Sequence, residues 1–429
     1  VVAKTSDAVM FGAGYALAQD RLASMELSRR SAVGRRAEIL GSSAIEGDKV
    51  ARDRRFQFPE AELLRMYHAL DPEYQKMLQG FVDGVNKTID EVNADPKNKT
   101  PIEFIRWGIE PTRWSLVEYL AMIASLPQGR QTFEINNLKF LTEMIARYGE
   151  KQGWQIFNDV VPISDPDSPT VIAEGEDLAP TRPMPKPVFS PVQLGQKKGA
   201  DLTNVRALQY DLPSEASRCL VIGPEKSASG KVLMLQATSD GPEIHLKGGG
   251  FDNAGFVTSN IGLPIMGRGA QHGWLMVSGK SEADTVFAEK LNPNNRYEYW
   301  YKGAWKKMEH RTETIQVKDA APVTHEVART IHGPVIAWDV SNGVAYSQKM
   351  GMHGKQLDTW AAMAEMGRAK NIEDFKTKGV DKMGWNVGVC YGGEDGQIAY
   401  FEVGAIPKKA ANVDPRLPTP GTGEYEWTG

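Results

Sequence analysis

The chain changes character once along its length, and that change limits what it can fold into. Up to about residue 160 the apolar residues recur at helical spacing. From about residue 218 they fall into short β-rich runs. Between these halves, residues 164–214 are dense in proline and keep no sustained period. Helices first and strands later predict an α+β architecture with antiparallel sheets. A structureless stretch of that length inside a compact domain is unusual and asks for a reason.

In the first half, Ser6 and Asp7 can cap a helix carrying Tyr15, Leu17, Leu22, Met25 and Leu27. Asp71-Pro72 opens another, with Met77, Phe81, Val85, Ile89 and Val92 on one stripe. Segments 115–126 and 132–148 read the same way, with Glu134 near the start of the second. In the second half, strands are expected at 218–223, 231–237, 274–277, 284–291, 311–317, 326–331 and 397–403. Residues 297–301 and 304–308 form a hairpin about Lys302-Gly303, and two helices lie near 357–367 and 371–379.

Composition excludes several classes. At 429 residues, 41% hydrophobic and 24% charged, the chain can bury a large core. A net charge of −4 gives no reason to expect nucleic acid as a partner. No apolar run reaches the length of a membrane span. Two cysteines, Cys219 and Cys390, exclude a disulfide framework and leave two states open, one disulfide or two buried thiols. Gly-x-Ser-x-Gly and His-Glu-x-x-His are absent, and the seven histidines show no ligand spacing. The stretch from Gly273 to Ser281 has one residue too many for a phosphate loop and reads as a strand. The triple glycine 248–250 signals close backbone approach. No organic cofactor is expected. The abrupt ends of the chain read as those of a processed or trimmed product, so the lack of a signal peptide says nothing of compartment.

Three separated stretches carry a family resemblance. The first runs Gly14-Tyr15-Ala16-Leu17-Ala18-Gln19-Asp20-Arg21-Leu22, then through Met25-Glu26 and Arg29-Arg30 to Glu38-Ile39-Leu40-Gly41. The second is Arg329-Thr330-Ile331-His332-Gly333-Pro334. The third is Asp414-Pro415-Arg416-Leu417-Pro418-Thr419-Pro420-Gly421-Thr422-Gly423, ending in Glu426-Trp427. In this order they resemble the penicillin acylase family of N-terminal-nucleophile amide hydrolases. The resemblance implies a four-layer αββα sandwich preceded by a helical α-chain region. It implies one precursor cut into an α-chain (1–163) and a β-chain (217–429), with 164–216 as the removed spacer. It also implies a periplasmic or secreted location.

The resemblance makes Ser217 the nucleophile at the start of the β-chain. A serine hydroxyl needs a base. A freed N-terminal serine carries one, its own α-amine, with a pKa of roughly 7.7–8.0. That amine is not available while Ala216 acylates it, so cleavage is activation. The oxyanion partners implied by the resemblance are the Asn386 side chain and the backbone N–H of Ser278. Glu243 stands where relatives carry Gln or His near the nucleophile, Arg218 where asparagine is usual, and Lys409 where arginine is common. An acyl pocket would draw on Met122, Phe133, Ile244, Phe256 and Ile265, with Lys409 near the substrate. A calcium ion joining the two chains would be held by Glu134, Glu282, Asp284 and Thr285, the last in place of an aspartate. The reaction expected is hydrolysis of an N-acyl amide through an acyl-enzyme. Two alternatives fit the same residues: a related acylase acting on an acyl-homoserine lactone or a xenobiotic amide, and an unprocessed relative that binds ligands without turnover.

Overall fold

A computed structural model of the chain describes residues 1–125, 133–162, 218–236, 241–258, 260–279, 281–410 and 413–429. Among the described residues, ten α-helices come first: α1 (Ser6–Val33), α2 (Ala37–Leu40), α3 (Ile45–Arg55), α4 (Glu60–Ala69), α5 (Pro72–Ala94), α6 (Pro96–Lys99), α7 (Ile102–Trp107), α8 (Leu116–Ser125), α9 (Phe133–Tyr148) and α10 (Glu150–Val160). Sixteen strands and two helices follow: β1 (Cys219–Ile222), β2 (Leu233–Gln236), β3 (Glu243–Gly248), β4 (Phe251–Val257), β5 (Pro264–Arg268), β6 (His272–Ser278), β7 (Asp284–Asn292), β8 (Asn295–Tyr301), β9 (Ala304–Lys307), β10 (Glu309–Ile315), β11 (Val323–Thr330), β12 (Gly333–Asp339), β13 (Val344–Met350), α11 (Gln356–Arg368), α12 (Ile372–Asp374), β14 (Val387–Gly393), β15 (Ile398–Val403) and β16 (Thr419–Pro420). The fold is α+β, as expected.

The strands form a six-stranded antiparallel sheet ordered β15-β14-β6-β5-β4-β3 and an eight-stranded sheet ordered β10-β11-β12-β13-β7-β8-β9. In the second sheet β16 adds to β7 in parallel. A separate hairpin, β1-β2, lies over β6 and β14: Met234 packs by Gly273 and Gly392, and Gln236 Nε2 donates to the Met276 carbonyl at 2.7 Å.

The main core joins α1, α5, α8 and α11 to one face of the six-stranded sheet. Asp71 caps α5 by accepting from the Glu73 N–H at 2.9 Å, with Pro72 at the first helical position. α1 and α5 touch backbone to backbone, because a Cβ on Gly14 would lie 2.2 Å from the Phe81 carbonyl oxygen and one on Gly84 2.0 Å from that of Phe11. A second core packs Ile135, Leu138 and Leu141 of α9 with Phe157 of α10 on Val286, Ala288 and Tyr346.

Several expectations shift. Ser6 is the first helical residue rather than the cap; Thr5 is the cap and makes no side-chain capping bond. Only residues 372–374 of the second late helix are α-helical, and a π-turn follows over 375–379. Strands β3, β4, β5, β12, β13 and β14 stand beyond those foreseen. β4, β5, β12 and β14 contain glycine, and β13 and β14 are buried along most of their length, so their alternation is weak; β3 does alternate, but over six residues only. The hairpin β8-β9 turns at Lys302 and Gly303, both with positive φ. Residues 248–250 form the β3-β4 turn with φ of 110°, 56° and 86°, and a Cβ on Gly248 would fall 1.6 Å from the Ala3 carbonyl oxygen. Gly273 to Ser278 lie in β6, a strand as read.

Candidate active site

Strand register gathers the candidates at one end of the six-stranded sheet. β6 and β14 run antiparallel with Ser278 opposite Val387, so Asn386 comes just before β14 at the level where β6 ends. β5 begins at that end, with Ile265 one residue inside it. β4 finishes there, and Phe256 faces Glu243, the first residue of β3. Glu243, Phe256, Ile265, Ser278 and Asn386 therefore lie along one edge although 143 positions separate the first and last in sequence.

Asn386 is held closely. Its Nδ2 donates to the Ser281 carbonyl, while its Oδ1 is buried with no hydrogen-bond partner. Glycines make the room: a Cβ on Gly279 would sit 2.0 Å from that Oδ1, and one on Gly404 2.8 Å from the Asn386 Cα. One amide hydrogen fixes the plane of the side chain and the second remains to donate elsewhere, the capacity that a preorganised oxyanion donor would need.

The hairpin β1-β2 gives direction. Cys219 pairs with Gln236, which bonds at Met276, whereas Ile222 pairs with Leu233 beside Met234 at the Gly273–Gly392 end. The start of β1 thus points to the Ser278–Asn386 end. Cys219 and Cys390 are joined in a disulfide, with Cα atoms 6.8 Å apart, which fixes β1 to β14 and decides between the two cysteine states. Ser217 lies outside the described residues.

The sequence matches the family described as penicillin amidase over residues 1–429. The chain belongs to the penicillin amidase family. It is similar to penicillin G acylase of Escherichia coli, 31% identical across 98% of this chain and 54% of that protein. It is also similar to an acyl-homoserine lactone acylase of Pseudomonas fluorescens, 25% identical across 98% of this chain and 50% of that protein. A solved structure of the thermostable penicillin G acylase from Alcaligenes faecalis has a TM-score of 0.47 at 29% identity, covering 49% of this chain and 39% of that one. The chain spans about half the length of the curated relatives it matches.

The other residues singled out by the penicillin amidase resemblance are dispersed. Met122 and Ile244 are buried in the main core. Phe133, half exposed, starts α9 beside the other sheet. Glu243 is exposed. Lys409 Nζ donates to Glu282 Oε2 at 2.8 Å.

The four residues proposed for calcium each have protein partners in the structure. Among the described residues, no three of His, Cys, Asp or Glu gather as a metal group. Glu134 Oε1 accepts the Val286 N–H at 3.4 Å, and burial raises its carboxyl to about 7. Asp284 accepts from Gln348 Nε2 at 3.0 Å, and burial raises it to about 6. The Thr285 hydroxyl accepts from Trp427 Nε1 at 3.1 Å, and Glu282 is engaged by Lys409.

The three family stretches have a different use: they are buried polar ties. Glu26, 3% exposed, takes Arg29 Nε at 2.9 Å and Arg30 Nε at 2.7 Å within α1. Arg416 pairs with Asp414 through two nitrogens and donates to the Val161 carbonyl at 2.6 Å, tying the late chain to the end of α10. His332 bridges two carboxylates, Nδ1 to Glu289 Oε1 at 2.7 Å and Nε2 to Glu426 Oε1 at 2.8 Å. Burial alone would depress this imidazole, but Glu289 and Glu426 outweigh it and hold the pKa above the usual value. Sequence reasoning missed Glu289, whose only signal was a carboxylate inside the apolar run of β7.

Proposed function

We propose that the protein containing this chain hydrolyses the amide bond of an N-acyl substrate through an acyl-enzyme on Ser217, after cleavage of the Ala216–Ser217 bond. The observation that carries this reading is the register of β6 and β14, which sets Asn386 beside Ser278 at the end of the sheet toward which β1 begins. Family membership supplies the chemistry. The freed α-amine takes the hydroxyl proton, because it is the base that an N-terminal serine carries once cleavage releases it. Ser217 Oγ adds to the carbonyl carbon. The oxyanion rests on Asn386 Nδ2 and the Ser278 N–H, the amine leaves with a proton, and water releases the acid.

The processed protein is an α-chain and a β-chain from one precursor, a reading supported by a relative in Pseudomonas sp. named as penicillin acylase 2 proenzyme. Its location is periplasmic or secreted. The relatives' names supply two substrate classes, a penicillin and an acyl-homoserine lactone. The deciding experiment is intact mass and N-terminal sequencing of the full-length protein, alongside a panel of phenylacetyl amides, acyl-homoserine lactones and anilides. Two chains, one starting at Ser217, with hydrolysis of at least one amide are expected. A single uncut chain without turnover refutes the reading.

A further inference from the structure

Between α1, α3 and α8 lies a cavity of about 240 Å³ that the proposed hydrolysis does not use. Three arginines reach it: Arg36, just after α1, and Arg54 and Arg55 at the end of α3. Phe58, Ala121 and Val50 supply an apolar wall. The Nε atoms of Arg36 and Arg55 are buried without a hydrogen-bond partner.

The neighbouring carboxylates are committed elsewhere. Glu313 is paired with Arg52 at 3.0 Å and Arg311 at 2.6 Å. Asp53 meets His325 at 2.8 Å, Glu118 meets Arg29 at 3.3 Å, and Asp284 accepts from Gln348 at 3.0 Å. Among the described residues, no ion pair reaches Arg36, Arg54 or Arg55. Burial disfavours the charged forms of Arg54 and Arg55, yet a guanidinium does not give up its proton in a protein. The three partly exposed guanidiniums keep hydrogen-bonding capacity toward the cavity that an anion from outside would meet.

The shape narrows the class. A guanidinium fork matches a planar carboxylate through two parallel hydrogen bonds. The volume is below the range of roughly 300–1,000 Å³ that holds drug-sized ligands, and the apolar wall would be wasted on an inorganic ion. We propose that this cavity binds a small organic carboxylate with an apolar body, its carboxylate on Arg36, Arg54 and Arg55 and its body against Phe58 and Ala121. The acid released by amide hydrolysis is one member of this class, and that connection rests on the function proposed above; the binding itself does not.

The test is calorimetric titration of full-length protein with phenylacetate, and with neutral 2-phenylethanol, for the wild type and for Arg54→Gln/Arg55→Gln. The double variant is expected to lose one binding event, with affinity down about tenfold or more, while its melting temperature is unchanged and its amide-hydrolysis rate stays within twofold of the wild type's. The neutral alcohol is expected not to fill that site. An unchanged isotherm in the folded double variant, or equal binding of the neutral alcohol, overturns the proposal. Should the double variant not fold, a wild-type crystal soaked in phenylacetate decides: density for the acid against the three guanidiniums supports the site, and its absence there overturns it. Hydrolysis by the wild type is scored separately, so loss of the binding site and loss of the proposed activity cannot be confused.

Discussion

Asn386 and Glu289 are both polar side chains set into sheets, and they are treated in opposite ways. Glu289, in β7 of the eight-stranded sheet, is fully buried. Its Oε1 accepts from Thr330 Oγ1 at 2.7 Å, Ser347 Oγ at 2.6 Å and His332 Nδ1 at 2.7 Å, while its Oε2 has no protein partner. Asn386, at the end of the six-stranded sheet, has one bond through Nδ2, and two glycines clear the space around it. The difference separates a polar group enclosed by partners from one that keeps the donor capacity the proposed oxyanion role needs. The first is surrounded until little can change. The second is oriented and left with capacity to donate.

The comparison breaks or sharpens under substitution. The largest effect is expected at Ser217: Ser217→Ala should leave an uncut chain and lower amide hydrolysis by roughly 10⁴-fold or more, as loss of a nucleophile does. Gel analysis and kcat measure both. Next, Glu289→Ala should cost about 3–5 kcal/mol in urea unfolding, since it strands His332, Thr330 and Ser347 in a closed core. If that variant kept its stability and lost only turnover, the architectural assignment would be wrong. Asn386→Ala should reverse the pattern, with kcat down roughly 10²–10³-fold and little change in melting temperature.

A pH series tests the eight-stranded sheet more gently. The folded His332 pKa is raised, so its contribution to stability is complete below the unfolded histidine pKa, near 6.5, and is lost as pH rises through the higher folded value. The melting temperature of the wild type should therefore fall across that window relative to His332→Gln. Equal slopes would remove the imidazolium bridge from the account. The smallest effect is expected at Glu243→Gln. This exposed residue should change stability by less than about 0.5 kcal/mol, while KM rises selectively for substrates bearing a cationic group.

Much of the fold was readable from period and punctuation. The α1 and α5 stripes, the Asp71-Pro72 cap and the Lys302-Gly303 hairpin turn are local signals with local causes, and the structure repeats them. β14 was not readable, because every residue in it is buried and it carries three glycines, leaving no alternation to detect. At the candidate site, Ser278 and Asn386 were named through resemblance, but nothing near either residue announces that β6 and β14 are neighbours. The arginine cavity was out of reach for the same reason: Arg36, Arg54 and Arg55 look like ordinary surface charges until α1, α3 and α8 close around them.

The sequence by itself determined the α+β division, the family and the residue types that could carry amide chemistry, because propensity, capping and motif order act over short stretches of chain. Only the tertiary structure decided that Cys219 binds Cys390, that Lys409 engages Glu282 and that Asn386 comes to rest beside Ser278. Those pairings depend on strand register and helix packing across more than a hundred residues, where the energy of the whole core, rather than any local preference, selects the partner.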